Sequence, residues 1–471
     1  MHHEYDVAVI GLGPAGMAVS IMATEMGLRV LGVEKRALGG ECMNVGCIPS
    51  KALLRAAQVR RNVTRLTDFG LSSVASPNPA NPFAKIQENL RFIDEQKTTK
   101  MFAKVDLRLR EGSARFTAPR TLAVGDNEYT ARKVFVCPGT RPAVPPIPGL
   151  DGVEYLTNET VFQLEAIPSS LLILGGGAIG CEMAQAFRRL GAEVTIVHMD
   201  AHLLPHGDAD AGQTLERVFA DEGIRVFNSQ RVKQISRVDE GIELLTEGGD
   251  RLRGEQLLVA AGRRYDFSEL NLEAAGVEYS TRGIRVDRTL RTTSRHIYAP
   301  GDGNGAHLFS HAAMHQGMLA LLNATAPWPI RFDYTKYIVP WAVFTDPPVA
   351  HAGRLERDLQ AQGIRYEEVE SRYGDYGAAI AEGVGVGVVK AFVSKTGRIY
   401  GARIIGEGAP EMINEWALAI QNRLRIHRIM FLQHAFPSMS FLTKRVSEGW
   451  MMNRMKSPTL QRLARFFYRL G

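Results

Sequence analysis

Twice along this chain a short apolar strand runs into the pattern Gly-x-Gly-x-x-Gly and then into a helical stretch. Residues 5–10 (Tyr-Asp-Val-Ala-Val-Ile) lead into Gly11-Leu12-Gly13-Pro14-Ala15-Gly16, and the next strand, at 28–33, ends on Glu34, 23 residues past Gly11. Residues 171–174 lead into Gly175-Gly176-Gly177-Ala178-Ile179-Gly180, and the strand at 193–197 ends on His198, again 23 residues past the first glycine. The glycine pattern alone is weak evidence; between a strand and a helix, with an acid at this distance, it is strong. Glycines let the backbone approach a pyrophosphate at a helix N-terminus, and Glu34 can accept a hydrogen bond from a ribose. Two such units imply two bound dinucleotides. The fold class expected is therefore α/β, with two Rossmann-like dinucleotide-binding domains.

Between the two fingerprints lies Gly39-Gly40-Glu41-Cys42-Met43-Asn44-Val45-Gly46-Cys47-Ile48-Pro49-Ser50-Lys51. A thiol at a helix N-terminus feels the positive end of the helix dipole, which lowers its pKa. Two cysteines four residues apart could also be buried structural residues or half a metal site. With only four cysteines in 471 residues there is no disulfide scaffold, which favours a reducing compartment and a catalytic pair. This stretch closely resembles the redox-active segment of the class I flavin-dependent pyridine nucleotide-disulfide oxidoreductases, among them dihydrolipoamide dehydrogenase, glutathione reductase and mercuric reductase. The resemblance implies that Cys42 and Cys47 form a redox-active disulfide, with Cys47 against the flavin and Cys42 exchanging with substrate. It also implies that Glu182 pairs with Lys51 beside the flavin.

The likeness runs from about residue 5 to 440. Residues 133–142 resemble the strand and glycine turn, with Gly139, where the chain leaves the FAD domain. Cys137 and Pro138 replace the usual alanine and threonine there, and Cys137 and Cys181 read as packed structural residues. Residues 257–264, with Gly262, resemble the return strand. Residues 297–302 resemble the second FAD motif, with Asp302 on the ribityl chain and a helix near 311 to follow. The FAD contacts implied are Gly11, Gly13, Pro14, Ala15, Gly16, Glu34, Lys35, Gly40, Lys51, Gly139, Asp302 and Ala313. The NAD(P) contacts implied are Gly175, Gly177, Ile179, Gly180, His198 and Gly262; no metal site is expected. The domains expected are FAD-binding at 1–150 and 267–334, NAD(P)-binding at 151–266, and an α+β dimerisation domain at 335–441. A basic extension at 442–471 completes the chain, which is expected to work as a homodimer.

Three departures stand out. His198 occupies the position of the acid that selects NAD, and no arginine follows at 199–201 to select NADP. In thiol-handling members the partner subunit supplies a His-Pro whose histidine is held by a glutamate five residues on. Here those positions are Phe436 and Phe441, which leaves an apolar lid and no proton shuttle, and Phe436-Pro437 is expected to be cis. His434 lies two residues back, about 7 Å along an extended chain, whereas general-base catalysis needs contact near 3 Å.

The net charge of +6 equals the surplus of residues 442–471, where seven basic side chains face one acid, Glu448. From Pro458, residues Leu460, Leu463, Ala464, Phe467 and Leu470 share a helical face opposite Arg462, Arg465 and Arg469, the pattern of an interfacial helix. The tail, at 457–471, is read as contacting a membrane surface or partner, or docking on its own dimer. No signal peptide is expected, because residues 1–6 run straight into the first strand, and no apolar run is long enough to span a bilayer. The expected location is the cytoplasm or the inner face of the membrane, with no nucleic-acid partner. The activity expected is a FAD-dependent NAD(P)H:disulfide oxidoreductase resembling dihydrolipoamide dehydrogenase and acting on an unusual dithiol or disulfide. The alternatives are a metal-ion reductase like mercuric reductase, a quinone reductase, or a catalytically slow flavoprotein scaffold.

Overall fold

The computed structural model describes residues 3–239, 241–327 and 329–470. Strand β1 (Tyr5–Ile10) lies centrally in the first sheet, parallel to β2 (Val30–Glu34) on one side and to β6 (Asn127–Val136) on the other. β3 (Asp106–Leu109) extends the sheet beyond β2, and β4 (Arg115–Ala118) and β5 (Thr121–Val124) extend it antiparallel beyond β6. Residues 297 and 298 return from far down the chain to pair with Val134 and Phe135. Strands buried on both faces read as continuous apolar runs, and Val7, Ala8, Val9 and Ile10 are all buried.

A second, four-stranded parallel sheet is built from Ser170–Leu174, Glu193–Val197, Arg225–Phe227 and Gln256–Val259. A third, antiparallel sheet of five strands begins at Trp341–Val343, and the helix Ala409–Gln421 covers it. The fold is thus α/β with two parallel Rossmann-like sheets and an antiparallel C-terminal domain.

The two glycine turns close in the same way. Gly11 has φ +84°, and a Cβ on it would sit 2.3 Å from the carbonyl of Cys137; Gly175 has φ +122° and meets the carbonyl of Ala260 at the same distance. Each first glycine therefore lets the turn lie flush against the end of the neighbouring parallel strand. The following helices are α1 (Pro14–Glu25) and Ala178–Leu190. α1 packs against the helix Ser310–Thr325. The cysteine segment forms a short helix, α2 (Gly40–Asn44), and then α3 (Cys47–Thr64), so Cys47 opens the longer helix while Cys42 sits in its own turn. α3 packs on the helix Ala178–Leu190, and Leu53, Ala57, Met183 and Phe187 lie in one buried cluster. Truncating a buried leucine such as Leu53 costs about 2–5 kcal/mol, so this contact fixes the first dinucleotide unit against the second.

Candidate active site

One cavity of about 2790 Å³ runs between the two glycine turns and past the cysteines. Ligand pockets usually measure roughly 300–1,000 Å³, so it has room for more than one nucleotide. Gly11, Gly13, Pro14, Ala15, Glu34, Lys35 and Gly40 line its first end, and Gly175, Gly177, Ile179 and His198 its second. Lys51, Glu182, Gly139, Gly262, Asp302 and Ala313 line the stretch between. Gly139 and Gly262 have φ +67° and +115°, with no atom within 4 Å of an added Cβ, so their bare backbone faces open space.

Two expected contacts lie elsewhere. Gly16 and Gly180 are off the cavity wall; a Cβ on them would fall 1.9 and 2.0 Å from the carbonyls of Gly11 and Gly175. They let each helix close onto its own turn, the packing role of the third glycine. Lys35 is on the wall, but its ammonium is bonded to Glu269. Glu34 is buried, with Oε2 accepting from the Leu12 amide at 2.9 Å and Oε1 from the Arg36 amide at 2.8 Å. These bonds aim its carboxylate and leave lone pairs for a ribose.

Cys42 and Cys47 are two free thiols in hydrogen-bond contact. A contact pair of this kind can exist in either redox state. The Cys42 thiol donates to Cys47, and this bond, with support from Ser310 and Lys51, brings the Cys47 pKa down to about 6 against the opposing effect of burial. The same bond holds the Cys42 proton in place and, together with burial, raises its pKa. The N-terminus of α3 favours the Cys47 thiolate further. Ser310, absent from the sequence reading, is the first residue of the helix Ser310–Thr325 and lies 3.5 Å from the Cys47 sulfur. Its only sequence signal is its position beside the segment of the second FAD motif.

Lys51 Nζ donates to Glu182 Oε2 at 2.8 Å, and Glu182 Oε1 accepts from the Phe344 amide at 3.0 Å. The Lys51 ammonium also sits 4.3 Å from the centre of the Phe344 ring. A second cluster surrounds Arg263, which donates to Thr140, Asn158 and the carboxylate of Glu41, the residue before Cys42. Burial pushes the carboxyl of Asp302 up to about 6, opposed by Arg263. Cys137 and Cys181 are buried, and desolvation raises both thiols.

His198 is buried, its ring against Gly176, and Nε2 is 2.6 Å from Asn228 Oδ1. Asn228 in turn donates to Glu216 at 2.9 Å. At the missing dyad, the Phe436 and Phe441 rings meet edge to face with centroids 5.3 Å apart, and Tyr376 stacks on Phe441. Phe436-Pro437 is cis. His434 has Nε2 3.1 Å from Glu415 and Nδ1 3.4 Å from the Leu432 carbonyl, and its side chain is 4% exposed. Both nitrogens already face acceptors.

Two nucleotide cradles that meet at a polarised thiol pair define an α/β dithiol oxidoreductase. Residues 5–317 match the pyridine nucleotide-disulphide oxidoreductases, and residues 339–445 match the dimerisation domain of the same proteins. The chain belongs to that family, which binds FAD and NAD(P)H. It is 33% identical to mercuric reductase of Streptomyces lividans over 93% of this chain and 94% of that protein. It is also 33% identical to dihydrolipoyl dehydrogenase of Bacillus subtilis, over 88% and 92%. Among solved structures, the HOCl-induced flavoprotein disulfide reductase RclA of Escherichia coli superposes with a TM-score of 0.85 at 26% identity, covering 95% of this chain and 100% of that one. Among the described residues no helix is long and apolar enough to cross a membrane.

Proposed function

We infer that this protein is an NAD(P)H- and FAD-dependent oxidoreductase whose redox couple is Cys42 and Cys47, and whose acceptor needs no base at position 436. The carrying observation is the placing of Cys42 and Cys47 on one cavity wall with Ser310 and Lys51, in a chain that has Phe436 and Phe441 at the positions where family members manage a proton. Gly11, Gly13, Glu34, Gly40 and Asp302 would hold FAD, and Gly175, Gly177, His198 and Gly262 the nicotinamide nucleotide. The bound flavin supplies the transfer of two electrons between nicotinamide and thiols. Lys51, anchored by Glu182, holds positive charge beside Cys47 and favours its thiolate. Cys42 is the thiol that exchanges with substrate.

The leaving thiolate of a disulfide substrate departs faster the lower its pKa. Without a proton donor at 436, the disulfides that fit are those whose thiols are ionised at neutral pH. A thiophilic metal ion is the second reading, favoured by the same phenylalanine pair, because its binding displaces the thiol protons and its reduction requires no proton to be delivered to a leaving thiolate. A homodimer is supported by the exposed apolar Leu418, Phe431, Leu432 and Phe436 within the residues that match the dimerisation domain.

The test is NAD(P)H oxidation at pH 7 with an aryl disulfide, oxidised lipoamide, and mercuric or cupric ion as separate acceptors. General acid–base catalysis contributes about 10²–10⁴-fold, so kcat/KM for the aryl disulfide should exceed that for lipoamide by about 100-fold or more. Turnover with the metal ions alone would establish the second reading. Lipoamide turnover at ordinary enzyme rates, about 10 s⁻¹, would contradict both.

A further inference from the structure

The C-terminal helix Pro458–Tyr468 has no buried residue, and it meets the end of the helix before it, Phe441–Met455. It also lies beyond residue 445, where the match to the dimerisation domain ends. At 100° per residue, Arg462, Arg465 and Arg469 fall within an arc of roughly 60°. Leu460, Leu463, Phe467 and Leu470 occupy the opposite arc, and all four are exposed, from 47% to 67%. Phe466 and Tyr468, 58% and 88% exposed, flank the apolar arc. Met452 and Met455 leave further apolar surface exposed at the end of the preceding helix.

Apart from Lys456, which donates to Asn453 at 3.4 Å, the basic residues of the extension divide into two sets. Lys444 donates to the carbonyls of Met430 and Leu432, Arg445 to that of Asp375, and Arg454 to the carboxylate of Glu367. These side chains tie the preceding helix to its own protomer. Arg462, Arg465 and Arg469 have no hydrogen bond or ion pair among the described residues, and no acid follows Glu448. An isolated helix of this length is marginal in water, so it gains most from a surface that covers its apolar arc and neutralises its arginines. A second copy of the chain is the poorer occupant, because the three arginines would need an acidic patch and the extension itself carries none. An anionic lipid surface supplies both requirements at once.

We propose that the helix Pro458–Tyr468 is a membrane-surface anchor, lying in the interface of an anionic bilayer with Leu460, Leu463, Phe467 and Leu470 among the acyl chains. Arg462, Arg465 and Arg469 reach the lipid phosphates along their aliphatic stems. The anchor holds the oxidoreductase at the bilayer, where its acceptors would be membrane-delivered.

The test is co-sedimentation of the full flavin-loaded protein with phosphatidylcholine vesicles, with and without phosphatidylglycerol, at low and high salt. Binding should require the anionic lipid and weaken with salt. The triple variant R462Q/R465Q/R469Q should partition about 100-fold less, given the contribution of each basic residue near an anionic surface. F467S, which leaves the charge unchanged, should weaken binding through lost insertion, and deletion of residues 457–471 should abolish it with flavin content and dimer mass unchanged. Circular dichroism should show helix gained on anionic vesicles by the full chain and not by the deletion. Equal binding to neutral vesicles, no binding to either, or loss of flavin or of the dimer on deletion would each overturn the proposal.

Discussion

Replacing Cys42 with alanine removes the donor that contributes most to the acidity of Cys47. A hydrogen bond to a charged acceptor is worth about 1.5–3 kcal/mol, and one pKa unit corresponds to about 1.4 kcal/mol. A thiol is a weak donor, so the lower end applies and the Cys47 pKa should rise by about one unit, from about 6 towards about 7. It should stop short of an ordinary thiol, because Ser310, Lys51 and the N-terminus of α3 remain in place. The sign follows from the direction of the shift: the Cys47 thiolate is present above its lowered pKa and is lost as pH falls through it. The assay is the rate of iodoacetamide labelling of the reduced protein against pH, read at the Cys47 peptide by mass spectrometry. Cys137 and Cys181 are buried and should stay unlabelled. A midpoint that does not move in Cys42→Ala, or a wild-type midpoint near that of a free cysteine, would refute the reasoning.

Lys51→Ala leaves the buried Glu182 carboxylate with the Phe344 amide alone. It should cost about 1–3 kcal/mol in urea unfolding, less than a fully buried pair because a third of the lysine side chain is exposed. The double change Phe436→His with Phe441→Glu places an acid–base pair where two rings now touch, and should raise lipoamide turnover at least tenfold at neutral pH; no increase would show that proton management is not what the phenylalanines forgo. Arg403 is fully buried on the third sheet and donates to Asp208 and Asp210 of the second domain. Arg403→Met should destabilise the protein by about 3–5 kcal/mol, since it leaves the buried Asp208 carboxylate short of its charged partner, while half-exposed Asp210 keeps Lys390.

What could be read from sequence was whatever depends on local pattern. Both glycine turns, the strands that enter them and the α3 helix follow from periodicity and spacing. The pairing of Lys51 with Glu182 spans 131 positions and came only from resemblance, yet it is made at 2.8 Å. Contacts without a local signature were not legible. Ser310 reaches Cys47 only because Ser310–Thr325 packs on α1, and Arg263 reaches Glu41 only because the return strand closes on the first domain. Gly16 and Gly180 of the fingerprint close each helix onto its own turn, and Lys35 is bonded to Glu269. At His434 the sequence offered a histidine near the right place, and only the geometry showed it held by Glu415. Of the seven basic side chains at 442–471, three, Lys444, Arg445 and Arg454, bond their own protomer, a distinction that charge counting does not make.

The assignment of the redox couple is tested most directly by anaerobic mixing of NADH or NADPH with the flavin-loaded protein in a stopped-flow spectrometer. A thiolate against oxidised flavin absorbs at long wavelength, and Cys47 is the thiolate this structure provides. Wild type should develop that absorbance on reduction, Cys42→Ser should carry it without reductant, and Cys47→Ser should never show it. Identical spectra for the two serine variants would contradict the account.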